Sequence, residues 1–157
     1  MSELMLTPVF SVSEQRVIRR AMRLLEKYQR NPGESFLSSD ATKTWLKLHL
    51  ARQEREMFVV LYLDNQNRLL EHETLFLGTI NSTEVHPREI VKSALRHNAA
   101  AVILAHNHPS GVAEPSRADR LITMNIVKTL DLVNVRVLDH FIIGAGDVLS
   151  FAERGWL

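Results

Sequence analysis

The 157-residue sequence predicts a three-layer α/β or α+β domain, a mixed sheet held between helices. Three observations carry this. Short β-rich runs alternate with segments of helical spacing. One run, Ala99 to Ala105, is almost continuously apolar, as a strand buried on both faces requires. No repeat, low-complexity tract or linker divides the chain, and a chain of this size hides roughly 68–70% of its unfolded surface without staples.

The elements follow in order. Val17, Ala21, Leu24, Leu25 and Tyr28 keep the spacing of one helical face, with Ser13 as the cap and Asn31-Pro32-Gly33 as the stop. A second helix starts near Asp40 and carries Trp45, Leu46, Leu48 and Leu50. Met57 to Leu63 is a β-rich run, and Asp64-Asn65-Gln66-Asn67 is a turn cluster. Arg68 to Leu77 is the partner strand, which makes an antiparallel hairpin broken by Gly78 and Asn81-Ser82-Thr83. Pro87 suits the first turn of a helix running to about His97, with Glu89 near its positive end. After the strand Ala99 to Ala105, His106 to Pro115 reads as a loop rich in His, Pro and Gly. A helix from about Ser116 to Leu130 follows, then a strand from Val135 to Ile143. Gly144-Ala145-Gly146-Asp147 is a turn, and Val148 to Phe151 is a short last strand.

Composition excludes several classes. The net charge is +1, so the chain is neither polybasic nor acidic. With no Cys, disulfides, thiolate metal sites and a Cys nucleophile are ruled out, and a reducing cytoplasm is the expected setting. Met1 to Val12 lacks a basic start followed by a long apolar run, so no signal peptide is visible. No apolar stretch reaches ~18 residues, so no membrane partner is expected.

Chemistry concentrates at His106-Asn107-His108-Pro109, with Ser116 and Asp119 downstream. Two His at i and i+2 point the same way on an extended chain, so both imidazoles can face one ion. Asp119, three residues into the next helix, can turn its carboxylate back toward the helix start. Two nitrogens and one oxygen leave a fourth tetrahedral position open, the pattern of a catalytic zinc site. Taken alone, Ser116-x-x-Asp119 is better explained as a capping box. The conjunction at the mouth of a buried strand favours the metal.

His-x-His-Pro, six residues, then Ser-x-x-Asp resembles the JAMM (MPN-plus) metalloprotease motif. The wider text is similar to the bacterial RadC family: Leu75 to Ile80, His86-Pro87-Arg88-Glu89, Asn98 to Gly111, Pro115-Ser116, Asp119, Leu138-Asp139-His140 and Ser150 to Gly155. The resemblance covers roughly residues 35 to 157, with residues 1 to 34 as a helical extension. It implies a three-layer fold like that of cytidine deaminases and a zinc-dependent hydrolase of peptide or isopeptide bonds. It also implies an upstream glutamate at the start of the first strand. Glu56 has the family's spacing before Met57-Phe58-Val59-Val60-Leu61, and Glu54 is the alternative. In the implied mechanism His106, His108 and Asp119 hold zinc and Glu56 moves the proton. The Ser116 hydroxyl helps stabilise the oxyanion, and Asn107 orients a neighbour or bonds substrate. Deaminase chemistry does not fit, because those enzymes use zinc cysteines.

Other residues carry blander readings. Arg16, Arg20, Arg23, Lys27 and Arg30 line one helical face, more often solvated than bound to a phosphate backbone. Full-length RadC-like proteins carry a helix-hairpin-helix region, and Met1 to Ser35 shows no such pair, so a nucleic-acid partner is weakly supported. A metal-bearing scaffold without turnover is a third possibility. His140 reads as a core histidine rather than a partner of the site, and His86 as a helix-entry residue. His49, His72 and His97 have no assigned role, and Trp156 and Leu157 form an apolar tail that docks on the body or on another subunit.

Overall fold

In a computed structural model, residues 10–29, 40–51, 53–78 and 85–157 are described. Ala101–Asn107 is the strand β3, and all seven of its residues are buried because layers cover both of its faces. On one side lies β1 (Met57–Leu63), antiparallel to it, and beyond β1 the edge strand β2 (Leu69–Leu77). On the other side β4 (Arg136–Ile143) runs parallel to β3, and β5 (Val148–Ser150) closes the edge antiparallel to β4. The five-stranded mixed sheet has the order β2-β1-β3-β4-β5.

Alternation along the strands divides the core into two halves. Met57, Val59, Leu61, Ala101, Ile103 and Ala105 face α2 (Asp40–Leu50) through Trp45, Leu46 and Leu50. Phe58, Val60, Tyr62, Val102 and Leu104 face α3 (Pro87–Arg96) and α4 (Arg117–Asp131) through Ile90, Ala94, Ile122, Ile126 and Leu130. The three-layer expectation is therefore met. The parallel β3–α4–β4 unit sets the N-terminus of α4 beside the C-terminal ends of both strands, which is where ligands bind in such units.

Several boundaries move. The strand β3 begins at Ala101 and runs on through His106 and Asn107, which had read as loop. Its ladder continues because His106 pairs with Phe58 and Ile142, and Asn107 with Ile143. The β1–β2 hairpin forms as expected, with Asp64 Oδ1 accepting from the Gln66 and Arg68 amides at 2.9 Å and Asn67 in the left-handed region at φ 61°. The last strand stops at Ser150, one residue early.

The helix α1 (Val12–Gln29) is capped by Ser11, not Ser13. Ser11 Oγ accepts from the Glu14 amide at 3.3 Å, and the Glu14 carboxylate accepts from the Ser11 amide at 2.6 Å. Ser13 falls inside the first turn, where its own amide is no longer at the start. The packing face is also rotated. Met22 and Leu25 rest on the core, whereas Val17 is 69% and Leu24 49% exposed. Glu26 explains the rotation: its carboxylate accepts from Trp45 Nε1 at 3.1 Å and lies 3.2 Å from His72 Nε2. Arg16, Arg20, Arg23 and Lys27 are exposed, as a solvated face should be. The Asn31-Pro32-Gly33 stop, Arg30, the Asn81-Ser82-Thr83 break, the boundary at residues 34 and 35 and the side chain of Tyr28 lie outside what is described. Among the described residues no helix is long and apolar enough to cross a membrane.

The remaining histidines are structural. His49 stacks on Trp45 with centroids 4.5 Å apart, and His97 is ion-paired with Glu73. Trp156 docks on the body, its ring edge-on to Phe151 at 5.2 Å and under the Arg120 guanidinium at 4.3 Å. Since Glu26 ties α1 to both α2 and β2, Glu26→Ala should leave the Trp45 indole N–H without its acceptor. The expected loss is about 1–3 kcal/mol, the usual cost of orphaning a buried donor. It should appear as a lower urea midpoint with an unchanged slope.

Candidate metal centre

The central strand delivers the first ligand candidate. His106 is the last even-numbered residue of β3, so it projects to the α4 side with Val102 and Leu104, and it is fully buried. Its ring lies against Phe58, the opposite residue on β1, with centroids 6.1 Å apart. His108 follows just beyond the strand. Its amide donates to the Ile143 carbonyl at 3.0 Å, which prolongs the pairing with β4 and holds the chain extended. The loop then turns back over β4. A Cβ on Gly144 would sit 2.7 Å from the Gly111 carbonyl, so the close approach of these two segments requires glycine there.

Asp119 comes from α4. Ser116 is the N-cap, and its Oγ accepts from the Asp119 amide at 3.0 Å. Asp119 Oδ2 accepts from the Ser116 amide at 2.8 Å, completing the capping box. The same carboxylate faces the imidazoles. His108 Nε2 is 3.1 Å from Asp119 Oδ2, His106 Nε2 is 3.4 Å from Asp119 Oδ1, and the two Nε2 atoms are 3.0 Å apart. These three residues could hold one metal ion, and they are the only such group among the described residues. A tetrahedral zinc with bonds of about 2.0–2.1 Å keeps its ligand atoms about 3.3–3.4 Å apart. The two His–Asp contacts end on different oxygens of the carboxylate, but one ligand atom from each residue lies within 4.8 Å of the others, so the donor set can close on the ion.

The other nitrogen of each ring is held. His108 Nδ1 is 2.8 Å from the Val112 carbonyl. His106 Nδ1 is 2.8 Å from His140 Nε2, and His140 Nδ1 is 2.6 Å from Thr123 Oγ1. His140 is therefore joined directly to the site, which corrects its reading as a core histidine with no part in it. The sequence held a weak signal: a lone His in the apolar strand next to β3. Thr123 carried one too, standing four residues after Asp119 on the same helical face. Asn107 points to the opposite side of the sheet. Its Oδ1 accepts from the Met57 amide at 2.8 Å, and its Nδ2 donates to the Arg55 carbonyl at 3.0 Å. Of its two expected roles, orienting a neighbour is the one these bonds serve.

The chain matches the family model described as a RadC-like JAB domain over residues 36–156. The chain belongs to the RadC-like JAB domain family. Relatives in Escherichia coli (strain K12) include UPF0758 protein YkfG, 58% identical over 92% of this chain and 91% of the relative. UPF0758 protein YfjY is 56% identical over 96% of this chain and 94% of its own. UPF0758 protein YeeS is 58% identical over 92% and 97%.

In this RadC-like JAB domain the two candidate acids are not equivalent. Glu56 stands two residues before Phe58, the partner of His106, and its charge acts on His108. Glu56 is half-buried and Glu54 is exposed. The hydrogen bond to Asp119 raises the His108 pKa above its ordinary value, with burial opposing and the Val112 carbonyl, the Asp119 charge and the Glu56 charge assisting. Burial disfavours ionisation of Asp119, but His106 and His108 outweigh it and hold that carboxyl far below the ordinary carboxylate range. A cavity of about 170 Å³ opens beside His108, walled by Leu50, Ala51, Pro109, Ile143 and Ala145.

Two outcomes follow for the metal-free protein. His108, raised, adds stability that is complete below about pH 6.5 and is lost as pH rises through its folded value. Asp119, depressed, adds stability above about pH 3.9 that is lost as pH falls. Asp119→Asn should therefore lower the His108 pKa in an NMR titration and flatten the pH dependence of stability in both windows. Asn107→Ala should cost about 1–3 kcal/mol in urea unfolding, because the buried Met57 amide loses its acceptor.

Proposed function

We propose that this RadC-like JAB domain is a zinc-dependent hydrolase of amide bonds in peptides or proteins, with His106, His108 and Asp119 as the metal ligands. The observation that carries this reading is the convergence of two imidazole nitrogens, 3.0 Å apart, on one carboxylate whose oxygens lie 3.1 and 3.4 Å from them. Two His and one Asp leave one corner for solvent, and a structural site has no such vacancy. When bound, zinc supplies a Lewis acid that polarises a carbonyl and lowers the pKa of a held water from 15.7 toward ~7.

The chain's own residues supply the rest. Glu56, whose charge acts on His108 from the rim of β1, is assigned as the base that takes the water proton and returns it to the leaving amine. Glu54 stands out in solvent and is the weaker candidate. The Ser116 hydroxyl accepts in the capping box, so its hydrogen is not spent there and can be donated to the carbonyl oxygen as that atom gains charge. Burial of His106 and Asp119 keeps water from the back of the site and strengthens each of these interactions.

Elemental analysis tests the ligands: the wild type should take up one equivalent of zinc and His106→Ala none. Retention of a full equivalent by His106→Ala would remove His106 from the ligand set. Mass spectrometry of new peptide termini in a proteome-derived library tests the reaction. Zinc-loaded wild type should generate termini that a chelator abolishes. Glu56→Gln should keep its zinc and cut about 10²–10⁴-fold more slowly, the usual contribution of a general base. A protein that holds zinc but generates no termini would be a scaffold rather than an enzyme.

A further inference from the structure

His140 is fully buried between the rings of Phe58 and Phe151, whose centroids lie 5.6 and 4.8 Å away. Among the described residues its ring hydrogen-bonds only His106 and Thr123. Thr123 Oγ1 in turn lies 2.6 Å from the backbone carbonyl of Asp119, itself one of the three site residues. The direction of this chain can be worked out from its last member. A carbonyl only accepts, so the Thr123 hydrogen is spent on Asp119. Thr123 Oγ1 must then accept from His140 Nδ1. With its Nδ1 hydrogen given to Thr123, the neutral His140 ring has its acceptor at Nε2, 2.8 Å from His106 Nδ1. His106 therefore donates from Nδ1, and its Nε2 is left with a lone pair aimed at His108 and Asp119. His108 Nδ1 is held in one step, by the Val112 carbonyl, which can only accept.

We infer that His140 and Thr123 are positioning residues which set the tautomer of His106, so that its Nε2 lone pair faces the site. They do for the buried ring what a backbone carbonyl does for His108, since among the described residues His106 Nδ1 bonds His140 and no carbonyl. The tautomer of an imidazole follows from the bond its other nitrogen makes. The chain also ties β4 and the first turn of α4 to the end of β3, so the three donors keep a common orientation. This inference rests on the ligand reading above only for its effect on zinc; the tautomer itself is a property of the metal-free protein.

Long-range 1H–15N NMR of the metal-free protein reads the tautomer, and competition with a chromophoric chelator reads zinc affinity. Thr123→Val keeps the volume but removes the hydroxyl, whereas Thr123→Ser restores it. The wild type and Thr123→Ser should both show His106 protonated at Nδ1, with zinc affinities within about 3-fold of each other. Thr123→Val should lose the single tautomer and bind zinc about 10–100-fold more weakly, the range typical of such outer partners. An unchanged tautomer and affinity in Thr123→Val would overturn the inference. So would a wild-type His106 protonated at Nε2, a measurement that needs no variant to fold. Should the wild type take up no zinc, the ligand reading fails while the tautomer comparison still decides this one.

Discussion

The antiparallel pairing of β1 with β3 is the constraint on which the site depends. Phe58 opposite His106 fixes which face of β3 carries the imidazole and which residue of β1 stands at the rim. A slip of one residue would turn His106 to the α2 side and leave the carboxylate of Asp119 alone. Asn107 resists that slip. Its side chain bonds the Met57 amide and the Arg55 carbonyl, so the last residue of β3 is fastened to the first residues of β1 from the side opposite His106. One dipeptide thus performs two tasks on two faces of the sheet. His106 serves the site, and Asn107 holds the strand that brings Glu56 to it.

Asp119 shows a similar economy. The capping box does not take Asp119 away from the imidazoles, because the same carboxylate makes the cap and faces both rings. Oδ2 accepts from the Ser116 amide and lies beside His108 Nε2, while Oδ1 faces His106. The cap holds the carboxylate in the orientation that a ligand needs, and the helix start is satisfied by the same atoms. The hydrogen bond to Asp119, helped by the Val112 carbonyl and by the Asp119 and Glu56 charges, explains why the His108 imidazole has a raised pKa. A metal ligand must be deprotonated, so affinity for any ion at this position would be coupled to pH.

Much of this was legible from residue pattern alone. The run before His106 read as a buried strand because apolar residues on both faces admit no other placement. The His, Ser and Asp spacing gave the three donors, since extended and helical periods are fixed. The misread features share a cause, which is that they are settled by partners distant in sequence. β3 ended two residues later than its polar residues implied, because His106 and Asn107 find their ladder on β1 and β4. Of the face Val17, Ala21, Leu24, Leu25 and Tyr28 on α1, Leu25 does rest on the core, but Glu26 engages Trp45 and His72 and brings Met22 in beside it while Val17 and Leu24 stay exposed. His140 looked inert because its partner on β3 is 34 residues away.

The N-terminus of a helix is an unusual neighbour for a cation, since its amides carry partial positive charge. Here α4 starts beside the three donors, and the repulsion must be offset locally. The capping box does this by placing an ionised Asp119 at the N3 position, where it accepts from the Ser116 amide before any cation arrives. Glu56 adds a second negative charge from the opposite strand, near enough to act on His108. The two imidazoles contribute lone pairs without further positive charge, provided their second nitrogens donate to neutral partners. That condition is met by the Val112 carbonyl on one side and by His140 on the other. The helix start and the two imidazoles therefore select an ionised Asp119 at this corner of the fold. A positive charge in the position of His140 would be opposed by its complete burial and by the neighbouring imidazoles.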